Sequence, residues 1–328
     1  MEAVARRAGV SKTTVSYVLS GKRNISAEVS ARVWSAIDDL QYRPSIAGRN
    51  LARRTTLTIG LFCNPTETLR EDPYFNQLLS GILEAVQPRG YQVTLYPEPG
   101  AESPAGERRL MSGAMDGALV MNPRADERDL AAIEQIGLPL VVIGTPRDPR
   151  SYFCVDHDQT AVIYRSVQYL AKKGHRRILF INSPQAYIGT AQRAEGFALA
   201  ASEFSVEQDA ELFHHGKITL EDGERIGADA LAAGLRFTAV LTMNDIVAVG
   251  VIRAVRAAGK RVPQDVAVVG GGDTIIAALH SPALTSTMLH PFEQGKEAGA
   301  MLIDVIERRR LRPTHTILPV TFVARQSA

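Results

Sequence analysis

The chain has 328 residues, with 37 Lys and Arg against 35 Asp and Glu, and carries a net charge of +2. That length allows more than one folded core, whereas two cysteines, Cys63 and Cys154, are too few for a disulfide framework and lack metal-ligand spacing. No apolar run approaches the roughly 18 residues of a membrane span, and the start has no secretory pattern. The expected setting is therefore the cytoplasm, with no membrane partner and no cofactor. The charge is unevenly placed: residues 1–54 hold ten basic and four acidic side chains, and the remainder is mildly acidic. A basic head on an acidic body fits a nucleic-acid-binding module joined to a domain that need not touch nucleic acid.

In chain order, Val4-Ala5-Arg6-Arg7-Ala8 reads as a helix stopped by Gly9, which accepts the left-handed geometry of a helix C-terminus. Ser11 sits where an N-cap belongs, and Lys12 to Leu19 follows as a second helix. Val4, Ala8, Val10, Val15 and Leu19 face inward, which leaves Lys12, Thr13, Ser16 and Tyr17 outside. A helix that is polar and basic at its exposed N-terminal end is shaped to enter a DNA major groove. Ser26-Ala27-Glu28 opens a third helix with Val29, Val33, Trp34, Ile37 and Leu40 at spacings of three and four. It closes near Tyr42-Arg43-Pro44, because Pro44 disfavours helical geometry before it.

Beyond residue 57 short apolar runs alternate with amphipathic stretches. Residues 58–62, 92–96, 117–121 and 140–143 read as strands, with a helix from about Tyr74 to Gly90. After a strand at Tyr152–Val155 the rhythm restarts with a helix over 158–173, strand 177–182 and a helix near Arg193–Phe204. Residues 239–242 and 266–270 continue it as strands. Apolar strands alternating with helices imply parallel sheets covered on both faces, and the restart near residue 156 implies two of them.

Residues Ala5 to Leu57, with "AGVSKTTVSYVLSGK", "SAEVSARVWSAIDDLQYRPS" and "GRNLARRTTLTIGLF", closely resemble the lactose-repressor (LacI/GalR) family of bacterial transcription regulators. The resemblance implies an all-α helix-turn-helix DNA-binding head over 1–44 and a hinge helix over 45–56. It implies an α/β two-lobed effector-binding and dimerisation domain of the periplasmic-binding-protein type, with two doubly wound parallel sheets, over 57–328. Lobe one would take about 57–156 and 290–318, and lobe two about 157–289 and 319–328. Ser11, Thr14, Ser16 and Ser26 then suit phosphate oxygens. Lys12, Thr13 and Tyr17 stand where relatives reach base edges, and Asn24 completes the DNA-facing set. Tyr17 departs from the Arg or His of many relatives; it either hydrogen-bonds a base or lies along the sugar backbone. Leu51 matches a leucine that relatives wedge into the minor groove, kinking the duplex at a cost in unstacking; the plain alternative is a flexible basic linker. Gly48 makes this hinge order reluctantly, since Gly costs about 1 kcal/mol against Ala in a helix. Two wedges imply a homodimer on a pseudo-palindromic double-stranded operator. Relatives begin a few residues earlier with a capping Thr or Ser, so a start upstream of Met1 is expected.

For the effector the resemblance marks Tyr74 and Phe75 as stacking aromatics and Arg193 as a fork onto ligand oxygens. It marks Asn244 as a hydroxyl partner, Asp273 as the remaining acid of a pair, and His290 and Phe292 as residues of the lobe-crossing segment. Two acids frequent in relatives are replaced by Gly144 and Gly272. An acid-poor pocket that keeps Arg193 and His290 suits a smaller, phosphorylated or anionic ligand better than a plain hexose. Gly270-Gly271-Gly272 fails the dinucleotide spacing at Ile275, and no nucleophile elbow is present, so an enzyme is not expected. A sugar or related metabolite is the expected effector; a partner protein remains the alternative, and a solute-binding protein is disfavoured by the basic head.

Overall fold

Among the described residues of the first unit, three short helices stand out. Helix α1 (Glu2–Ala8) ends at Gly9, whose φ of 64° lets its N–H reach back to the carbonyls of Ala5 and Arg6. The Thr14 N–H donates to Ser11 Oγ at 3.0 Å, so Ser11 caps α2 (Lys12–Ser20). Ser26 caps α3 (Ala27–Asp39) in the same way, accepting from the Val29 N–H. Val4, Ala5, Ala8, Val15, Val33, Ala36 and Ile37 form the core, with Val10, Val18, Leu19 and Tyr42 against it. Arg7 ties α1 to α3 through Asp39 at 2.9 Å. Trp34 and Leu40 depart from the expected inward face: they are 49% and 43% exposed, because α3 meets α1 and α2 on a stripe centred on Val33 and Ile37.

The structure is a computed structural model that describes residues 1–20, 25–42, 55–63, 72–96 and 113–328. It divides into two units, Met1–Thr56 and Leu57–Ala328. The hinge expected over 45–56, with Gly48 and Leu51, lies almost wholly outside the described residues, as does Asn24.

The second unit contains two parallel sheets. The larger has the order β11-β5-β4-β3-β1-β2, built from β1 (Thr58–Phe62), β2 (Gln92–Tyr96), β3 (Gly117–Met121), β4 (Leu140–Ile143), β5 (Phe153–His157) and β11 (His315–Leu318). The smaller, β7-β6-β8-β9, uses β6 (Ile178–Asn182), β7 (Phe213–His215), β8 (Ala239–Thr242) and β9 (Ala267–Val269). An antiparallel pair, β10 (Ser286–Met288) and β12 (Thr321–Val323), bridges on to the smaller sheet. The helices among the described residues are α4 (Pro73–Val86), α5 (Arg128–Gln135), α6 (Gln159–Lys172), α7 (Ile188–Glu203), α8 (Leu220–Ala232), α9 (Asp245–Ala257), α10 (Ile275–Leu279) and α11 (Pro291–Ile306). The chain leaves the first sheet after β5, returns through His290 into α11, and leaves again after β11, where Leu318 stands in register with His157. The larger sheet is therefore built from discontinuous segments, whereas the smaller comes from residues 178–269 and is joined by the β10–β12 pair.

Period-two alternation explains why the inner strands are apolar throughout. Leu119, Val141 and Ile143 face one layer, with Phe75, Leu78 and Ile82 of α4 and Met301 and Leu302 of α11. Ala118, Val120, Leu140 and Val142 face the other, with Leu130 and Ile133 of α5. Helices α4 and α11 touch at backbone level. A Cβ on Gly81 would stand 1.9 Å from the Phe292 carbonyl oxygen, and one on Gly295 would stand 2.0 Å from that of Leu78. Helix α7 begins at Ile188, five residues before the expected start, so Arg193 sits in its second turn.

Candidate functional site

On the head, Ser11, Lys12, Thr13, Ser16 and Ser26 are exposed, and Thr14 and Tyr17 are partly so. Several of these groups are already engaged, Ser26 among them as the cap of α3. Ser11 Oγ is the α2 cap and also lies 2.9 Å from Thr14 Oγ1. Lys12 Nζ donates to Glu2 Oε1 at 2.6 Å, and this ammonium holds the Glu2 carboxyl below its usual range. Lys12 must release Glu2 before it reaches a base edge.

The second unit holds a cavity of about 150 Å³ where the C-terminal ends of both sheets meet, the usual ligand position in open parallel sheets. The first sheet supplies Asn122 after β3, Thr145 after β4 and Asp156 in β5; the second supplies Ser183 after β6, Asn244 after β8 and Gly270–Gly272 after β9. Asp72 and Tyr74 enter from the start of α4, Gln159 from α6 and Arg193 from α7. The mouth is bridged by backbone: the Ala125 N–H donates to the Ala186 carbonyl at 2.7 Å, and the Ile188 N–H to that of Pro123 at 3.2 Å.

Arg193 is the electrostatic centre. Its Nε donates to Asn182 Oδ1 at 3.0 Å, Nη1 to Gln159 Oε1 at 2.8 Å, and Nη2 to Ser183 Oγ. All three acceptors are neutral. A guanidinium has five N–H groups, so two remain uncommitted among the described residues. Burial brings Arg193 down to about 10, with the Asp156 charge opposing that fall. Asp156 reaches Arg193 only through a neutral relay, accepting from Thr145 Oγ1 at 2.5 Å and from Gln159 Nε2 at 3.1 Å. Asn244 Oδ1 caps α9 by accepting from the Val247 N–H at 3.0 Å, while its Nδ2 is buried with no acceptor among the described residues. Tyr74 donates its hydroxyl to Gln294, and burial pushes its phenol far above the usual value. Asp72 accepts from the Tyr74 N–H at 3.0 Å, and burial raises its carboxyl to about 6.

Of the seven residues expected at the effector, Tyr74, Arg193 and Asn244 line this cavity; the other four do not. Phe75 is fully buried in the layer beneath α4, because one helical step turns it about 100° from Tyr74. Asp273 is claimed by Arg325 of the C-terminal segment at 2.5 Å. His290 adopts φ 47° at the lobe crossing, and the backbone of Phe292 is pressed against Gly81. The expected scarcity of acids is also corrected: Gly144 and Gly272 do line the cavity, but Asp72 and Asp156 line it with them. Both were signalled in the sequence, Asp72 as a cap directly before Pro73 and Asp156 inside an apolar strand. Asp245 lines it too, but its carboxylate is occupied by Thr274 N–H, Thr274 Oγ1 and Ser286 Oγ, and burial raises it to about 6.

The chain matches the model of the lacI family of bacterial regulatory proteins over residues 1–45 and that of the periplasmic binding protein-like domain over residues 167–328. It is 30% identical over 333 residues to the HTH-type transcriptional regulator CelR of Thermobifida fusca, covering 100% of this chain and 97% of that one. A solved complex of a transcriptional regulator CelR with cellobiose superposes with a TM-score of 0.77 at 29% identity, covering 100% and 99% of the two chains. A lac repressor dimer bound to operator and the anti-inducer ONPF gives a TM-score of 0.87 at 24% identity, covering 99% and 97%. With the helix-turn-helix head and the two-sheet body in the same order as these relatives, the chain belongs to the LacI family of bacterial DNA-binding transcriptional regulators.

Proposed function

We propose that this regulator is a cytoplasmic, non-enzymatic repressor that binds a pseudo-palindromic operator as a homodimer and is controlled by a sugar or closely related oxygen-rich metabolite in the cavity between the sheets. The observation that carries the effector reading is the set of unmet donors in a buried wall: two N–H groups of Arg193 and the Nδ2 of Asn244. A buried donor without an acceptor is costly, and hydroxyl, carboxylate or phosphate oxygens satisfy it. Asp156, from the facing sheet, accepts hydroxyl hydrogens. A relative that carries cellobiose and another that carries an operator fit this reading.

On the DNA, the exposed N-terminal end of α2 reads base edges, Ser11, Thr14, Ser16 and Ser26 fix phosphates, Asn24 belongs to the same DNA-facing set, and Leu51 of each hinge enters the minor groove. The effector acts by favouring one lobe arrangement, which changes how readily paired hinges order. The test is thermal unfolding of the full chain with glucose, cellobiose, glucose 6-phosphate, gluconate, small acids and purines. At 100 times its dissociation constant a ligand adds about 2.7 kcal/mol, a readable shift. Arg193→Met should lose that shift. No shift with any compound, or a full shift retained by Arg193→Met, refutes the reading.

A further inference from the structure

Gln294 stands on α11, is only 2% exposed, and does not line the cavity. Both ends of its carboxamide are used. Its Oε1 accepts the Tyr74 hydroxyl, and its Nε2 donates to the Val155 carbonyl of β5 at 3.2 Å. The frame around it has little freedom, because α4 and α11 meet with Gly81 against the Phe292 carbonyl and Gly295 against that of Leu78. Any rotation of Tyr74 must therefore break its hydrogen bond or force apart a pair of helices in backbone contact.

We infer that Gln294 is the positioning residue of the effector site: it commits the Tyr74 hydroxyl hydrogen, so that Tyr74 offers the ligand a fixed ring and no donor. Burial keeps the phenol protonated, so the committed hydrogen is always present. The effector chemistry this selects is an apolar or C–H face against Tyr74, with oxygens directed at Arg193 and Asn244 on the opposite lobe. A pyranose has that two-sided character; a ligand that needs a phenol donor at this wall is rejected. This inference rests on the effector reading above, and its test separates the two.

Thermal-shift titrations of the full chain with glucose and cellobiose would compare wild type, Gln294→Leu, Gln294→Glu, Tyr74→Phe and the Tyr74→Phe/Gln294→Leu pair. Losing one buried hydrogen bond corresponds to about tenfold in affinity. Gln294→Leu should therefore weaken the sugar that wild type binds by about that factor. Gln294→Glu, which retains an acceptor, should restore most of it and guards against a Leu variant that fails to fold. Tyr74→Phe removes the same Tyr74–Gln294 bond and should weaken the sugar by a comparable factor, and the double variant should lose no more than either single change. Equal binding by wild type and Gln294→Leu overturns the role of Gln294 while leaving the cavity reading intact. A loss in Tyr74→Phe well beyond that in Gln294→Leu, or single losses that add in the double variant, places the hydroxyl on the ligand and also overturns it. No shift for wild type with either sugar overturns this inference at its base, and the wider panel then decides the cavity reading.

Discussion

Replacing Asp72 by Asn should change how stability depends on pH, by an amount the cavity wall sets. Asp72 is 8% exposed, accepts from the Tyr74 N–H at the head of α4, and titrates at about 6 because burial disfavours its charge. In the unfolded chain it returns to near 3.8. Between these values the native state holds a proton that the unfolded state has released. The stability it contributes is therefore full below about pH 3.8 and is lost as pH rises through about 6. The separation of some two units corresponds to about 3 kcal/mol as an upper bound, at roughly 1.4 kcal/mol per unit. Asn keeps an oxygen for the N-cap and is neutral at every pH. Asp72→Asn should thus be the more stable protein at pH 7 by up to about 3 kcal/mol, and the two should converge near pH 4. His157, which burial holds below its usual value, acts in the opposite sense, but it is common to both proteins and cancels in the difference. Urea unfolding of the full chain by circular dichroism, at half-unit steps from pH 4 to 7, measures that difference. Parallel stability curves would show that Asp72 is not the buried acid the structure makes it.

Two further outcomes follow from contacts elsewhere. Glu2→Gln should release Lys12 from its 2.6 Å partner and tighten binding to a double-stranded oligonucleotide; the log–log salt slope should steepen by about 0.9 if one more phosphate is neutralised. Fluorescence anisotropy across a salt series reads this, and an affinity unchanged at every salt concentration would refute it. Gly295→Ala would put a Cβ 2.0 Å from the Leu78 carbonyl oxygen, so α4 and α11 must separate by about an ångström, at an overpacking cost of about 1–3 kcal/mol or more. A melting temperature unchanged from wild type would contradict the backbone contact between these helices.

The head and the inner strands were legible because their signals are local: a capping Ser, a Gly at a helix end, an apolar strand between turns. What the sequence hid depends on neighbours. Trp34 and Leu40 keep the helical spacing of Val33 and Ile37 but stay about half exposed, outside the core of their own unit. Helix α8 escaped notice because much of its buried face is Gly223, Gly227 and Ala230, small residues that let α9 approach and leave little apolar periodicity. Tyr74 and Phe75 are equal candidates in the chain, and only the rotation of α4 sends one to the cavity and the other to the core. Asp273 looked like the surviving acid until the chain end brought Arg325 to it, a contact spanning 52 positions.

The same neighbour dependence decides what an effector can do here. The lobes are already joined across the cavity mouth by two backbone hydrogen bonds, between Ala125 and Ala186 and between Pro123 and Ile188. A ligand that touched only Arg193 and Asn244 would satisfy donors on the second lobe in either arrangement and would shift nothing, however tightly it bound. Only contacts that exist in one arrangement and not the other alter the balance. On the proposed effector reading Asp156 and Tyr74 would supply them from the first lobe, and Gln159 ties Asp156 to Arg193 through a neutral amide instead of a direct ion pair. A direct pair would occupy the N–H groups that the relay leaves uncommitted. The neutral relay leaves the guanidinium with two N–H groups uncommitted among the described residues, and on the proposed effector reading a bound molecule's oxygens would take them.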